Sequence, residues 1–193
     1  MPLVLAIKNR NSIVVAADTD EQVHDQSFGE LISLPNHAVI LIVGNLKYVR
    51  HAVEEAIRQV KPESSTAAVA QLVQAALIVD IVPHLSEMAG RVELIVAGFD
   101  PIRHVQEPGL YYLDSAQEFH LQLVPGDAVA GGATAAVTSL VAGHSYAASS
   151  TDHLKVLAKE CISATKLRWP TAVRGRITLG VLTPQSTQIQ TLA

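Results

Sequence analysis

Two short apolar runs, separated by three turn-forming residues, open this 193-residue chain and dictate how it begins to fold. Leu3 to Lys8 is apolar up to its last residue, Asn9-Arg10-Asn11 is turn chemistry, and Ser12 to Ala17 is apolar again before Asp18. Runs of this length flanking a polar turn form a β-hairpin. A polar loop, Thr19 to Ser27, follows, then a strand pattern over Gly29 to Leu34, a turn at Pro35-Asn36 and another strand pattern from His37 to Val43. Four strands in series with tight connections predict antiparallel pairing.

Helical periodicity then takes over. Asn45 is placed to cap a helix from Leu46 to Val60, in which Tyr48, Val49, Ala52, Val53, Ala56, Ile57 and Val60 make one apolar stripe. Lys61-Pro62-Glu63 breaks it. Ser64 or Ser65 caps a second helix running through Val82, apolar around so much of its circumference that cover on more than one side is expected. Strand patterns return over Val92 to Phe99, Leu110 to Asp114 and Glu118 to Leu123, with Asp114-Ser115-Ala116-Gln117 as the turn between the last two. Val129 to Gly132 leads into a small-residue helix over Ala133 to Ala142. Ser150-Thr151-Asp152 caps another from His153 to Leu167, with Leu154, Val156, Leu157, Cys161, Ile162 and Thr165 as its inner positions. Trp169-Pro170 ends it, because proline cannot continue a helix. Ile177 to Thr183 and Gln188 to Leu192 close as a hairpin across Pro184-Gln185-Ser186. Strand blocks alternating with helix pairs predict an α+β fold, a four-layer αββα sandwich of two antiparallel sheets flanked by helices. Residues 1–193 are read as one domain.

Composition excludes several functions. Apolar residues make up 49% and charged residues 17%, so either the core is large or much surface is buried between subunits. A net charge of −4 with no basic run argues against nucleic-acid binding. The longest near-continuous apolar stretch, Ala75 to Val82, is interrupted by Asp80 and stopped by Pro83, well short of the roughly 20 residues a membrane span needs. Lys8, Asn9 and Arg10 interrupt the opening apolar segment, so no signal peptide is expected. A single cysteine, Cys161, precludes an internal disulfide and fits a cytoplasmic location.

Several strings, in this order and spacing, resemble proteasome β-type subunits and the related bacterial ring protease, members of the N-terminal-nucleophile (Ntn) hydrolase superfamily. SIVVAAD resembles the family's second strand with its acid, and HAVILIVGNLKYVRHAVEEA its strand, glycine and first helix. LIVAGFD with LYYLD resembles the glycine–x–aspartate strand and its successor, DAVAGGATAAV the entry to the third helix, and RITLGVLT the late strand. The resemblance covers essentially the whole chain and implies the αββα sandwich.

What it implies for catalysis is mostly loss. In the family an N-terminal threonine attacks the scissile carbonyl and its own amine takes the proton. The aligned position here is Pro2, or Met1 with a one-residue slip, and neither carries a hydroxyl or thiol. The strand-ending acid is kept as Asp18. The expected lysine falls on Glu30, a reversal of sign; the expected serine falls near Gly132; the later aspartate and serine fall near Pro170 and Val173. The expectation is a ring-forming homologue without threonine-peptidase activity, serving a structural, compartment or peptide- or protein-binding role. Its helices would pack against neighbouring copies in a ring or stacked double ring, since Ala-rich stretches at 66–76 and 133–148 permit close approach.

Two other chemistries are compatible with these residues. Pro2, if it carried the terminal amine, could serve as a general base, whereas as an edge-strand residue its missing N–H is harmless. Asp18, Asp20, His24 and Asp25 gather oxygen and imidazole ligands in one loop, but lack the glycine and spacing of a calcium site, so a solvated acidic loop is the simpler reading. The eight histidines show no zinc-binding spacing and Gly131-Gly132 is not followed by a P-loop lysine, so no cofactor is expected.

Overall fold

The computed structural model describes residues 2–19, 28–102, 105–133, 137, 140, 141, 144–171, 173 and 175–192. The opening hairpin forms as the turn chemistry requires. β1 (Leu3–Lys8) pairs antiparallel with β2 (Ile13–Thr19) in the register Val4↔Ala17. Asn9 Oδ1 accepts the backbone N–H groups of Asn11 and Ser12 at 2.8 and 2.6 Å, closing the turn.

β3 (Phe28–Ser33) and β4 (Val39–Gly44) form the second hairpin, but in a different sheet. The expected series of four strands therefore divides after β2, and the chain crosses from one sheet to the other. β4 then pairs with β5 (Val92–Ile102), β5 with β6 (Val105–Asp114), and β6 with the two-residue β7 (Gln122–Leu123). β8 (Ala128–Gly132) returns to the first sheet beside β1, and β9 (Arg176–Thr183) and β10 (Ser186–Leu192) complete it beyond β2. The sheet orders are β10-β9-β2-β1-β8 and β3-β4-β5-β6-β7, with every pairing antiparallel.

Side-chain alternation sorts the apolar residues into three clusters and so sets the layers. Val4, Ala6, Ile13, Val15 and Ala17 of one sheet meet Val39, Leu41, Val43, Ile95 and Ala97 of the other. Leu3, Leu5, Ile7, Val14 and Ala16 face the opposite way, against Val137, Val141 and the inner side of α3 (Thr151–Arg168). Ile40, Ile42, Leu94 and Val96 likewise meet α1 (Leu46–Arg58) and α2 (Thr66–Asp80). The molecule is an α+β sandwich of two facing antiparallel sheets with helices on the outer faces. β1, β2, β4 and β5 are buried on both faces, which is why they read as nearly continuous apolar runs. Each fully buried Leu or Ile stabilises such a core by about 1.5–3 kcal/mol.

The caps at Ser65 and Ser150 form as expected, accepting from Ala68 N at 3.1 Å and His153 N at 3.2 Å. Other expectations need correction. Asn45 occupies the N-cap position of α1 without a side-chain cap hydrogen bond. α2 stops at Asp80, a 3₁₀ segment (Val82–Glu87) follows, and α2 is buried along one face only. Its Val79 is 72% exposed, and Val156 on α3, expected inside, is 52% exposed. The expected strand from Glu118 to Leu123 is mostly turn, because Glu118 and Phe119 adopt positive φ (52° and 55°). That turn drives the Phe119 ring fully into the α1–α2 core, while Gln74 Nε2 donates to the Phe119 carbonyl at 3.3 Å. No helix among the described residues is long and apolar enough to cross a membrane.

Candidate functional site

One end of the sandwich brings together Pro2, Asp18 and Gly132. Leu3 stands opposite Gly132 of β8, and Val4 opposite Ala17, so the start of β1, the end of β2 and the end of β8 lie together. The end of β4 and the start of β5 adjoin them, since a Cβ built on Gly131 would lie 3.0 Å from both Val43 Cγ1 and Glu93 Oε2.

Pro2 is buried, and its carbonyl accepts the backbone N–H of Ala133 at 3.1 Å. Gly132 makes that contact feasible. It sits at φ +85°, and a Cβ there would come within 2.0 Å of the Pro2 oxygen. Asp18 is buried at the end of β2, opposite Ile177 of β9. Alternation places it on the side of Val14 and Ala16, which faces α3, and not on the inter-sheet side. Asp20, His24 and Asp25, the remaining members of the acidic loop, lie outside the described residues. Among the described residues no three His, Cys, Asp or Glu side chains stand close enough together to hold a metal ion. Glu30 on β3 faces Arg50 of α1 across 3.8 Å, a half-exposed pair.

The strongest polar constellation at this end is one that sequence reasoning missed. Glu93 and Asp114 are both buried and stand directly opposite in the β5–β6 register. Two carboxylates so placed repel, and burial removes the water that would screen them. Arg91 resolves the conflict. Its Nε donates to Asp114 Oδ1 at 2.8 Å, and one terminal nitrogen contacts both Asp114 Oδ2 and Glu93 Oε1, the latter at 2.9 Å. Tyr112 adds a hydroxyl donor to Glu93 Oε1 at 2.9 Å, and the Gly132 N–H donates to Glu93 Oε2. Asp114 Oδ1 also accepts the Ala116 N–H at 2.9 Å.

The electrostatics follow from these contacts. The hydrogen bond that Arg91 donates to Asp114 and the charge of Glu93 hold the Arg91 guanidinium protonated beyond its already high range, against the opposing effect of burial. Burial, then the negative charge and hydrogen bonding of Glu93, push the Tyr112 phenol well above its usual value. Tyr112, Glu93 and Asp114 share the strand face that carries Ile95 and Leu110, so the cluster closes the space between the sheets where β1 begins.

The arrangement is a charge network in which Glu93 engages the Tyr112 hydroxyl and the Gly132 N–H, and Arg91 bridges the two carboxylates from a half-exposed position. The only sequence signal for it is the single carboxylate in Val92-Glu93-Leu94-Ile95-Val96, a position that would otherwise read as solvent-facing. Its partners come from β6 and β8, which no local pattern identifies. A second polar tie, outside this end, secures α2: Asp100 accepts the Tyr111 hydroxyl at 2.7 Å and the Ala67 N–H at 2.8 Å. No protein-family model matches this sequence, and no curated protein is significantly similar to it.

Proposed function

We propose that this chain is a proteasome-subunit-like, ring-forming protein of the Ntn-hydrolase sandwich type that has no threonine-peptidase activity and serves a structural or compartment role. The order of its elements and the two facing five-stranded sheets support the fold part of this reading. The observation that carries the loss of activity is the Glu93 plug. Acyl transfer needs a nucleophile and free N–H donors aimed at the developing oxyanion. Beside the start of β1, the Gly132 N–H is already engaged by a buried carboxylate, and the Ala133 N–H by the Pro2 carbonyl. Residues 1–11 contain no serine, threonine or cysteine. An anion fixed at this point would also repel a tetrahedral intermediate. Exposed apolar side chains on the helices, Val79 and Leu167 at 72% and 86% exposure, support packing against further copies.

The test has two parts. Purified protein incubated with fluorogenic peptides and an electrophilic peptide probe should give no turnover and no mass adduct. Native mass measurement should show a closed multimer. A covalent adduct at residue 1 or 2 would overturn the inactive assignment, and a monomer at every concentration would overturn the ring.

A further inference from the structure

β10 is an edge strand of the first sheet, paired with β9 on one side only. Among the described residues, nothing hydrogen-bonds to the backbone of its other side. Such an edge is a template for another strand, and folded proteins usually blunt it with a charge, a proline, a bulge or extreme shortness. β10 has none of these. It is seven residues long, Ser186-Thr-Gln-Ile-Gln-Thr-Leu192, regular in its register with β9, and carries neither a charged residue nor a proline.

The other edges differ. β7 spans two residues, β3 carries Glu30, and β8 is a five-residue strand ending in two glycines, shorter than β10.

The central five residues of β10 are also a palindrome about Ile189: Thr187-Gln188-Ile189-Gln190-Thr191 reads the same in both directions. We propose that β10 is a self-complementary edge through which two copies of this chain pair antiparallel about a two-fold axis at Ile189, joining their first sheets into one. Such an axis sets Gln188 opposite Gln190 of the other copy, Thr187 opposite Thr191, and Ile189 opposite itself. The amide pair and the β-branched Ile189 pair are chemically matched, while the Thr187 and Thr191 hydroxyls keep their partners within the chain, the His37 carbonyl at 2.6 Å and Thr178 Oγ1 at 3.3 Å.

The hydrogen-bond pattern is compatible as well. Alternate residues of a strand direct both backbone groups to the same side. A two-fold at a residue pairs positions equally distant from it, so outward-directed groups meet outward-directed groups. The charge pattern suits a second copy, because no charge on the strand is brought against its own image. An isologous contact of this kind closes by symmetry.

The surroundings enlarge the contact. Beside β10 lies a groove of about 190 Å³ floored by Leu179 and Val181 of β9 and edged by Gln188, Gln190 and Lys155 of α3. α3 packs on β1, β2 and β9 and leaves this strip open. Ile189, 42% exposed, faces the other way, toward the inter-sheet side shared with Thr178 and Gly180. A strand pair with this border is smaller than a standard interface of roughly 1,200–2,000 Å², so self-affinity of about micromolar strength is expected. The pairing does not depend on the ring proposal. Where rings form, a two-fold contact is the kind that joins one ring to another.

Cysteine placement reads the register directly, because the only native thiol, Cys161, is fully buried. With a short bis-maleimide, Ile189→Cys should cross-link to a covalent dimer, since each residue 189 meets its own copy. Ser186→Cys should not, because the two copies of residue 186 lie about 20 Å apart in this register. Gln188→Cys mixed with Gln190→Cys should yield the heterodimer in excess of either homodimer. Sedimentation at tens of micromolar should show Ile189→Lys at half the mass of the parent assembly or less, with unchanged circular dichroism. Equal cross-linking at 186 and 189, a parent protein that is monomeric, or an Ile189→Lys variant of undiminished mass would each overturn the proposal. A monomer whose β10 instead captures an unrelated extended peptide counts among the overturning results.

Discussion

Two regions of the molecule, the start of β1 and the β10 edge, use polar groups in opposite ways. Where β1 begins, buried polar groups find partners within the chain: Glu93 takes a guanidinium, a phenol and a backbone N–H, and Pro2 takes the Ala133 N–H. Along β10 a row of backbone groups is turned outward and left for another chain. The contrast separates a position that has been made structural from one that remains available. Burial is what distinguishes them, since an unmet polar group is tolerable in water and costs about 1–3 kcal/mol in a core.

The largest effect expected at the locked end comes from Glu93→Ala. Removing this carboxylate keeps the Arg91–Asp114 pair but takes the acceptor from the Tyr112 hydroxyl and the Gly132 N–H, and at about 1–3 kcal/mol per unmet buried donor should destabilise the fold by about 2–5 kcal/mol. Chemical denaturation would measure it. A loss below about 1 kcal/mol would show that water enters this end freely and that the plug is not closed. Gly132→Ala should cost about 1–3 kcal/mol, because it combines a left-handed φ with a Cβ driven onto the Pro2 carbonyl. The same melt would expose a tolerant site if that variant retained the parent midpoint.

Tyr112→Phe is a gentler probe, expected to cost about 1 kcal/mol for one donor to a carboxylate. It also has a pH signature. The folded phenol titrates above its unfolded range near 10, through burial and Glu93. Its contribution is therefore fully present below about pH 10 and is lost as pH rises through the folded value. Cys161 acts in the same sense and slightly earlier: burial pushes its thiol up to about 11, so it should resist thiol reagents at pH 8. Stability measured from pH 8 to 11 should fall with rising pH, less steeply in Tyr112→Phe. Parallel curves for the two proteins would remove Tyr112 from the account.

The smallest effect belongs to the open edge. Ile189→Lys should leave monomer stability within about 0.5 kcal/mol, as exposed substitutions do. A loss as large as that of Glu93→Ala would mean that the edge is part of the core after all.

Local pattern made much of this legible. The β1–β2 hairpin, the stripe of α1 and the serine caps of α2 and α3 were readable because turn chemistry, 3.6-residue periodicity and capping act over a few neighbouring residues. The long β5–β6 hairpin was only half legible. The strand pattern is read only over Leu110 to Asp114, yet β6 begins at Val105 and its Gln106–Gly109 lies opposite Gly98–Pro101. Proline is tolerated there because β7 reaches only Tyr111 and Tyr112, leaving Pro108 with a single neighbouring strand. Phe119 in a left-handed turn was likewise illegible, because a core 45 residues away in sequence, at Gln74, helps to hold it.

The sequence by itself determined where most strands and helices arise, that the central strands are apolar on both faces, and that residues 1–11 hold no serine, threonine or cysteine. Only the tertiary structure decided which strands share a sheet, and that Glu93, Asp114, Arg91, Tyr112 and Gly132 converge beside Pro2. The reason is physical. Periodicity records which face of an element is buried, whereas the partner across that face is chosen by packing between segments that alternation alone does not tell apart.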